Sequence, residues 1–267
     1  SDLANPTLTA NYNTSGDAWG VTLSADGKTA FVADNADGLD IINISDLANP
    51  TLTANYNTSG DAWGVTLSAD GKTAFVADNA DGLDIINISD LANPTLTANY
   101  DTSGNAWGVT LSADGKTAFV ADNADGLDII NISDLANPTL TANYNTSGDA
   151  YGVILSADGK TAFVADNVDG LDIIDVGDSF ANGDASIATK ASITGNFETS
   201  NFAMGVTLSA DGKTAFVANF RGGLEIINIS DLANPTLTAN IDTSAGFFGS
   251  GLVYSVTLSA DGKTAFV

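Results

Sequence analysis

Hydrophobic and polar positions alternate along this chain in short bursts. In GVTLS (20–24), Val21 and Leu23 fall on one side and Thr22 and Ser24 on the other, the period-two pattern of a half-buried strand. The SADGK turn follows, and its Asp-Gly pair is a strong hairpin signal. TAFVA (29–33) is rich in β-formers and reads as a second strand. The loop DNADG (34–38) leads to a third strand, LDIINI (39–44). SDLANP then turns the chain, and Pro6, Pro50, Pro94, Pro138 and Pro235 mark the start of a fourth strand, TLTANY. Proline is tolerated at the first residue of an edge strand, and TLTANY is the most polar of the four, so it is expected at the outer edge. No segment repeats apolar residues at spacings of three and four, so almost no helix is expected.

The whole pattern recurs. SDLANPTLTANYNTSGDAWGVTLSADGKTAFVADNADGLDIINI begins at Ser1 and returns at Ser45, Ser89 and Ser133, a spacing of 44 residues. The units are 1–44, 45–88, 89–132, 133–176, a longer 177–229, and 230–267, which stops before a DNADGLDIINI segment. Four short strands in a period of about 44 residues match the blade of a β-propeller. Leucine-rich and β-helix repeats are shorter, and armadillo-type repeats are helical. The expected fold is therefore all-β: residues 1–267 form one β-propeller domain of six blades, mostly of four antiparallel strands. Six inner strands, beginning at Gly20, Gly64, Gly108, Gly152, Gly205 and Val256, set the blade count. The chain opens on an outer strand (Thr7–Tyr12) and ends on a second strand (Thr264–Val267), so both ends are expected to share the closing blade. That blade lacks its LDIINI strand. Either the ring closes on a reduced or rearranged blade, or the protein continues beyond this sequence.

Charge narrows the function. The formal net charge is −25, and almost all the acid is Asp. A phosphate backbone needs a basic surface, so a nucleic-acid partner is excluded, as is docking on an anionic membrane. Absent Cys and His remove disulfides, zinc–thiolate and zinc–histidine sites, Cys nucleophiles and Ser-His-Asp chemistry. No apolar run approaches the length of a membrane span, so no membrane insertion is expected. A Cys-free chain rich in Asp, Asn, Thr and Gly reads as secreted or displayed on the surface of a bacterium or archaeon.

GLDIIDVGD (170–178) and its sisters GLDIINISD (38–46, 82–90, 126–134) resemble the LVIVD repeat family, whose hallmark strand ends in Asp-Val before Ser/Asp and a nearby Pro. The preceding GVTLSADGKTAFVAD is similar to YVTN-type and lactonase-like seven-bladed propellers. The chain departs from the LVIVD pattern by carrying Asn43, Asn87, Asn131 and Asn228 where Asp is usual; Asp175 keeps it. The resemblance implies a propeller, exported or surface-associated, and brings no catalytic set with it.

Three groups of residues could carry chemistry. The loops NTSGDAW and DNADG are expected on one propeller face, where Asp17, Asp61 and Asp149 would join Asp34, Asp37, Asp78, Asp81, Asp122, Asp125, Asp166 and Asp169 in an acidic crown. Hard oxygen donors at this density suit Ca²⁺, and the eight residues of the DNADG loops are the candidate metal ligands; the competing reading is that each Asp caps its own turn. Trp19, Trp63, Trp107 and Tyr151, with Met204 and Tyr254 in the irregular units, either line a ligand face for a sugar or other flat molecule or wedge between blades. Arg221, the lone arginine, either meets an anionic ligand or pairs with a nearby Asp; the pairing is expected. Four near-identical units offer no unique catalytic set, so the expected function is a non-enzymatic structural, adhesive or protein-binding scaffold, with a protein or carbohydrate partner at the cell surface. A lactonase-like hydrolase or a carbohydrate-binding propeller is the alternative. The asymmetric stretches 184–204, 220–222 and 247–254 are where such a site would sit.

Overall fold

The structure is a computed structural model that describes residues 7–177, 191–243 and 251–267. The parts of the asymmetric stretches at 184–190 and 247–250, and Pro6, lie outside these residues.

Alternation becomes sheet as expected. β1 (Gly20–Leu23), β2 (Thr29–Ala33), β3 (Leu39–Asn43) and β4 (Thr51–Tyr56) pair in that order into one antiparallel blade. Blade 2 comprises β5 (Gly64–Leu67), β6 (Thr73–Ala77), β7 (Leu83–Asn87) and β8 (Thr95–Tyr100), and blade 3 comprises β9 (Gly108–Leu111), β10 (Thr117–Ala121), β11 (Leu127–Asn131) and β12 (Thr139–Tyr144). Blade 4 is built of β13 (Gly152–Leu155), β14 (Thr161–Ala165), β15 (Leu171–Asp175) and β16 (Ser192–Phe197), and blade 5 of β17 (Gly205–Leu208), β18 (Thr214–Ala218), β19 (Leu224–Asn228) and β20 (Thr236–Ile241). The sixth, closing blade is a two-stranded sheet of β21 (Thr257–Leu258) and β22 (Ala265–Phe266). The protein is an all-β, six-bladed propeller.

Each hairpin between first and second strands spans four residues rather than two. Ser24 N–H donates to Thr29 O, Gly27 takes a left-handed φ of 66°, and the Ser24 hydroxyl and Lys28 N–H both donate to Asp26 Oδ1. Register slips once per blade between the third and fourth strands, as at Ile41/Ile42, where a bulge bends the outer edge.

The core is a series of seams between blades. Phe31 and Ile41 face each other across β2 and β3 and pack, with Ala33 and Leu39, against Ala74, Val76, Ile86 and Ile88 of blade 2. Phe75, Phe119 and Phe163 repeat this at the next three seams and are buried. Phe216, at the same position in blade 5, is only half-buried: the seam it faces is closed by Ala265, Val253 and Val256 of the reduced sixth blade.

The opening segment departs from expectation. Thr7–Tyr12 forms no strand. In blade 1 the outer strand β4 pairs with β3, and the closing sheet has no counterpart of β3 among the described residues. Tyr12 still packs on Ala30, Val32 and Ile42 of blade 1, much as Tyr56 packs in the seam with blade 2. Side-chain burial holds this segment where backbone pairing does not.

Candidate functional site

The inner strands of blades 1 to 3 begin so close to the next strand that a side chain is excluded at Gly20, Gly64 and Gly108. A Cβ on Gly64 would stand 2.7 Å from the carbonyl oxygen of Trp107, which explains the aromatic-Gly-Val order: the aromatic sits at the strand mouth and glycine passes the constriction. The central opening, about 390 Å³, is lined by Trp19, Trp63, Trp107, Tyr151, Met204 and Tyr254, with Ser255 and the glycines and valines below them. The rings form a contiguous arc. Trp63 stacks on Trp19 at 4.2 Å and on Trp107 at 3.9 Å between centroids, Tyr151 meets Trp107 edge-on at 4.4 Å, and Tyr254 closes back on Trp19 at 5.4 Å. The sequence left these aromatics between a ligand face and a wedge; the structure gathers them around one channel mouth.

The mouth is also polar in a specific way. The indole N–H groups of Trp63 and Trp107 are buried without an acceptor, an arrangement that costs about 1–3 kcal/mol for each group left unmet. Buried indoles ordinarily find a partner. Burial and the nearby Asp149 carboxylate raise the Tyr151 phenol above its usual range, so it keeps its proton at neutral pH.

The DNADG loops sit at the same end of the blades as this mouth, laced to the loops of the next blade. Asn35 adopts a left-handed φ of 51° and exchanges backbone hydrogen bonds with Ala62, and Asn79, Asn123 and Asn167 do the same with Ala106, Ala150 and Ala203. The first Asp of each loop points inward. Asp78 accepts from Thr58 Oγ1 at 2.6 Å and from Gly60 N–H at 2.7 Å; Asp122 and Asp166 repeat the bonds with Thr102 and Gly104 and with Thr146 and Gly148. Each carboxylate thus ties down a loop some twenty residues earlier in the chain rather than capping its own turn. Burial pushes Asp78, Asp122 and Asp166 up to about 6 against these hydrogen bonds. In blade 1, Asp34 accepts only from Gly16 N–H, and its Oδ1 is buried without a partner. Asp37, Asp81, Asp125 and Asp169 are half-buried, and each offers its backbone carbonyl to an outer-strand Asn, Asn55 in the first blade.

A further set of carboxylates went unnoticed in the sequence. Asp40, Asp84, Asp128 and Asp172 stand second in each LDII strand, buried to 3% exposure or less, and each accepts from an outer-strand Asn. Burial raises all four above the usual carboxylate range. The signal was present: an Asp flanked by Leu and Ile in an otherwise buried strand must be partnered. In blade 4 this residue completes a cluster, because Asp166, Asp169 and Asp172 bring carboxylate oxygens within 4.8 Å of one another. Three hard oxygen donors with no basic side chain answering them could coordinate a metal ion. Asn167, beside Asp166 in the chain, donates from Nδ2 to Asp149 at 3.1 Å, linking this cluster to the loop that carries Tyr151.

Among the described residues, Arg221 does not make the expected ion pair. The blade-5 loop reads NFRGG where the others read DNADG or DNVDG, so Asn219 and Gly222 replace both acids that the guanidinium would have met. Among the described residues, its contact is the face of Phe220, 5.7 Å from the ring centroid. Phe220 in turn lies edge-on to Tyr254 at 5.5 Å and near Phe202 at 6.0 Å, extending the aromatic arc outward from the mouth.

Comparison with known proteins bears on the fold and the family. No curated protein matches the sequence. Among solved structures, a functionally unknown protein from Desulfotomaculum acetoxidans DSM 771 matches with a TM-score of 0.76 at 14% identity, over 96% of this chain and 80% of that one. The periplasmic gluconolactonase PpgL of Pseudomonas aeruginosa matches at 0.72 and 16%, over 88% and 71%. A protein from Bacteroides fragilis NCTC 9343 described as a "putative 6-phosphogluconolactonase" matches at 0.74 and 16%, over 92% and 75%. No helix among the described residues is long and apolar enough to cross a membrane. The expectation of a non-enzymatic scaffold is corrected here. The propellers that share this fold include a gluconolactonase, and although every one of blades 1 to 4 carries the three acids, among the described residues only Asp166, Asp169 and Asp172 of blade 4 close to within 4.8 Å, so repetition of the units does not exclude a distinct site. The LVIVD repeat profile matches residues 15–58, 59–102, 103–146, 147–181 and 203–243, most of the sequence, and the chain belongs to the LVIVD repeat family.

Proposed function

We propose that this propeller is a lactonase-like hydrolase that opens a small sugar lactone at its aromatic mouth, outside a bacterial or archaeal cell. The observation that carries the reading is the mouth itself: an aromatic-walled opening of about 390 Å³ in which two indole N–H donors have no protein acceptor. Aromatic faces suit the apolar face of a sugar ring, and the orphaned donors suit its oxygens. A purely structural wedge would have satisfied them.

Ring opening adds water across the ester C–O bond: the oxygen of water goes to the carbonyl carbon and a proton to the departing ring oxygen. Tyr151, held protonated, is the donor to the carbonyl or departing oxygen. Asp149, two residues earlier and oriented by Asn167, takes the proton from the attacking water. We read the Asp166–Asp169–Asp172 cluster as a Ca²⁺ site; the ion would neutralise the three charges and fix the loop that presents Asn167.

Ring opening of an aldonolactone releases a proton, so a pH-stat follows it. Rates well above buffer are expected, and Tyr151→Phe is expected to lower kcat by about 100-fold with KM little changed. A wild-type rate equal to the buffer rate would overturn the hydrolase reading.

The cation has its own test. At a hundredfold excess over its dissociation constant, Ca²⁺ is expected to stabilise the fold by about 2.7 kcal/mol, which raises the unfolding midpoint by about 5–10 °C. Asp169→Asn is expected to abolish the rise, because it removes one of the three clustered charges while keeping the backbone carbonyl that Asn196 holds. An equal rise in wild type and variant would place the cation elsewhere.

A further inference from the structure

The acidic face is broken at one place. In blades 1 to 4 each DNADG-type loop carries two acids, and in blade 5 the same positions hold Asn219 and Gly222, with Arg221 between them. The lysines of the described residues stand in the ADGK hairpins, at the opposite end of the blades from these loops, so Arg221 is the one cation among the described residues of this face. Arg221 is exposed, unpaired among the described residues, and lies over Phe220, which abuts Tyr254 of the mouth. A buried polar pair lies beneath it: Asn219 Oδ1 and Glu225 Oε2 have no hydrogen-bond partner, while Asn219 Nδ2 is spent on Ser200 Oγ and Glu225 Oε1 on Ser200 N–H and Asn240. Among the described residues of this loop, Arg221 is therefore the one positive charge that a ligand's negative charge could meet.

We infer that the mouth selects a sugar or sugar lactone bearing a single carboxylate, whose charge is read by Arg221. The inference rests on the proposed hydrolase for the reaction but not for the binding. A neutral ring could enter the near-repetitive mouth in several orientations. A carboxylate is repelled by the acids of blades 1 to 4 and attracted at blade 5, so only one orientation keeps the charge off the acidic arc. A guanidinium matches a planar carboxylate with two parallel hydrogen bonds. A phosphate dianion brings twice the charge into the same acidic field against the same single cation, so the carboxylate is the better fit.

All three tryptophans of the chain line the mouth, so their emission reports binding there whether or not any turnover follows. Titration with a hexose, the corresponding hexuronate and the hexose phosphate is expected to rank the hexuronate tightest, at least tenfold over the neutral sugar. Arg221→Ala is expected to erase that preference while leaving the hexose titration unchanged, and Arg221→Lys to restore part of it. Raising the salt should weaken the hexuronate alone. Equal affinity for hexose and hexuronate, a tighter phosphate, or a preference that survives Arg221→Ala would each overturn the inference. Absent lactone hydrolysis with the hexuronate preference intact would instead remove the hydrolase reading and leave this one standing.

Discussion

Gly126→Ala is expected to lower the unfolding midpoint by about 10 °C, whereas Gly115→Ala, eleven residues away, lowers it by only a few degrees. Both glycines have positive φ, 83° and 69°, and a left-handed backbone alone costs a non-glycine residue about 1–2 kcal/mol. What separates them is what surrounds the missing side chain. A Cβ on Gly115 meets nothing within 4 Å, while one on Gly126 would drive into the backbone carbonyl of Tyr144 and the amide of Thr146. Neither neighbour can step aside. Tyr144 ends β12 and pairs with Leu127, and the Thr146 hydroxyl is bonded to Asp166 of the next blade. Overpacking against rigid backbone adds about 1–3 kcal/mol, and each kcal/mol moves the midpoint of a domain this size by about 2–4 °C. Thermal unfolding by circular dichroism checks both variants. Equal losses would mean that the backbone conformation, not the contact between loop and outer strand, dominates at Gly126.

The same glycine shows what the sequence makes legible. DNADG reads as a turn from its residue types alone, and TAFVA and LDIIN read as strands because each is bounded by such turns and rich in β-formers. These are local facts, and the structure repeats them blade after blade. The partner of each loop acid is not local. Asp78 was read either as a metal ligand or as the cap of its own turn, but it holds Thr58 and Gly60, which come near only when the blade has folded back through the hairpin between β5 and β6. Convergence of Trp19 with Tyr254 is less legible still, since it requires the ring to close. Asp172 was missed because it sits in a strand rather than a loop. Thr7–Tyr12 was read as a strand because its residues match TLTANY elsewhere, yet a strand exists only where a neighbour offers a ladder. Arg221 was paired with an acid because acids abound in the composition, and the two that mattered are replaced in its own loop.

Stability is expected to fall as pH rises from about 4 to about 6, the reverse of ordinary acid denaturation. Asp78 and Asp122 are buried in successive seams and pushed up to about 6 from an ordinary value of 3.8. Around Asp78 lie Asp84, itself raised by burial, Asp81, and Tyr56 of the preceding blade; around Asp122 lie Asp128, Asp125 and Tyr100. Those neighbours bring no positive charge to hold the ionised form. In the unfolded chain these carboxyls lose their protons near 3.8, while the folded protein keeps them to about 6. Across that window the unfolded state is favoured by about 1.4 kcal/mol per pH unit for every proton it has lost and the folded state still holds. The stabilisation is full below 3.8 and gone once pH has passed the folded value. Hairpin acids such as Asp26 and Asp70 act in the opposite sense, lowered chiefly by the hydroxyls of Ser24 and Ser68, but they titrate below 3.8 and so erode stability only in stronger acid. The two trends place the optimum near pH 4. Unfolding midpoints measured from pH 4 to 8, in chelator and at fixed ionic strength, are expected to decline through the lower half of that range and to level off above it. Repulsion within a chain of net charge −25 pushes the same way, so the decisive comparison is Asp78→Asn with Asp122→Asn, which gives both seams the residue that blade 5 carries at Asn219. The double variant loses the hydrogen bonds that an amide nitrogen cannot accept, so its midpoint is lower at pH 4.5. Its decline toward pH 7 is expected to be shallower than that of the parent. A decline just as steep in the double variant would assign the pH dependence to the whole acidic surface and not to these two seams.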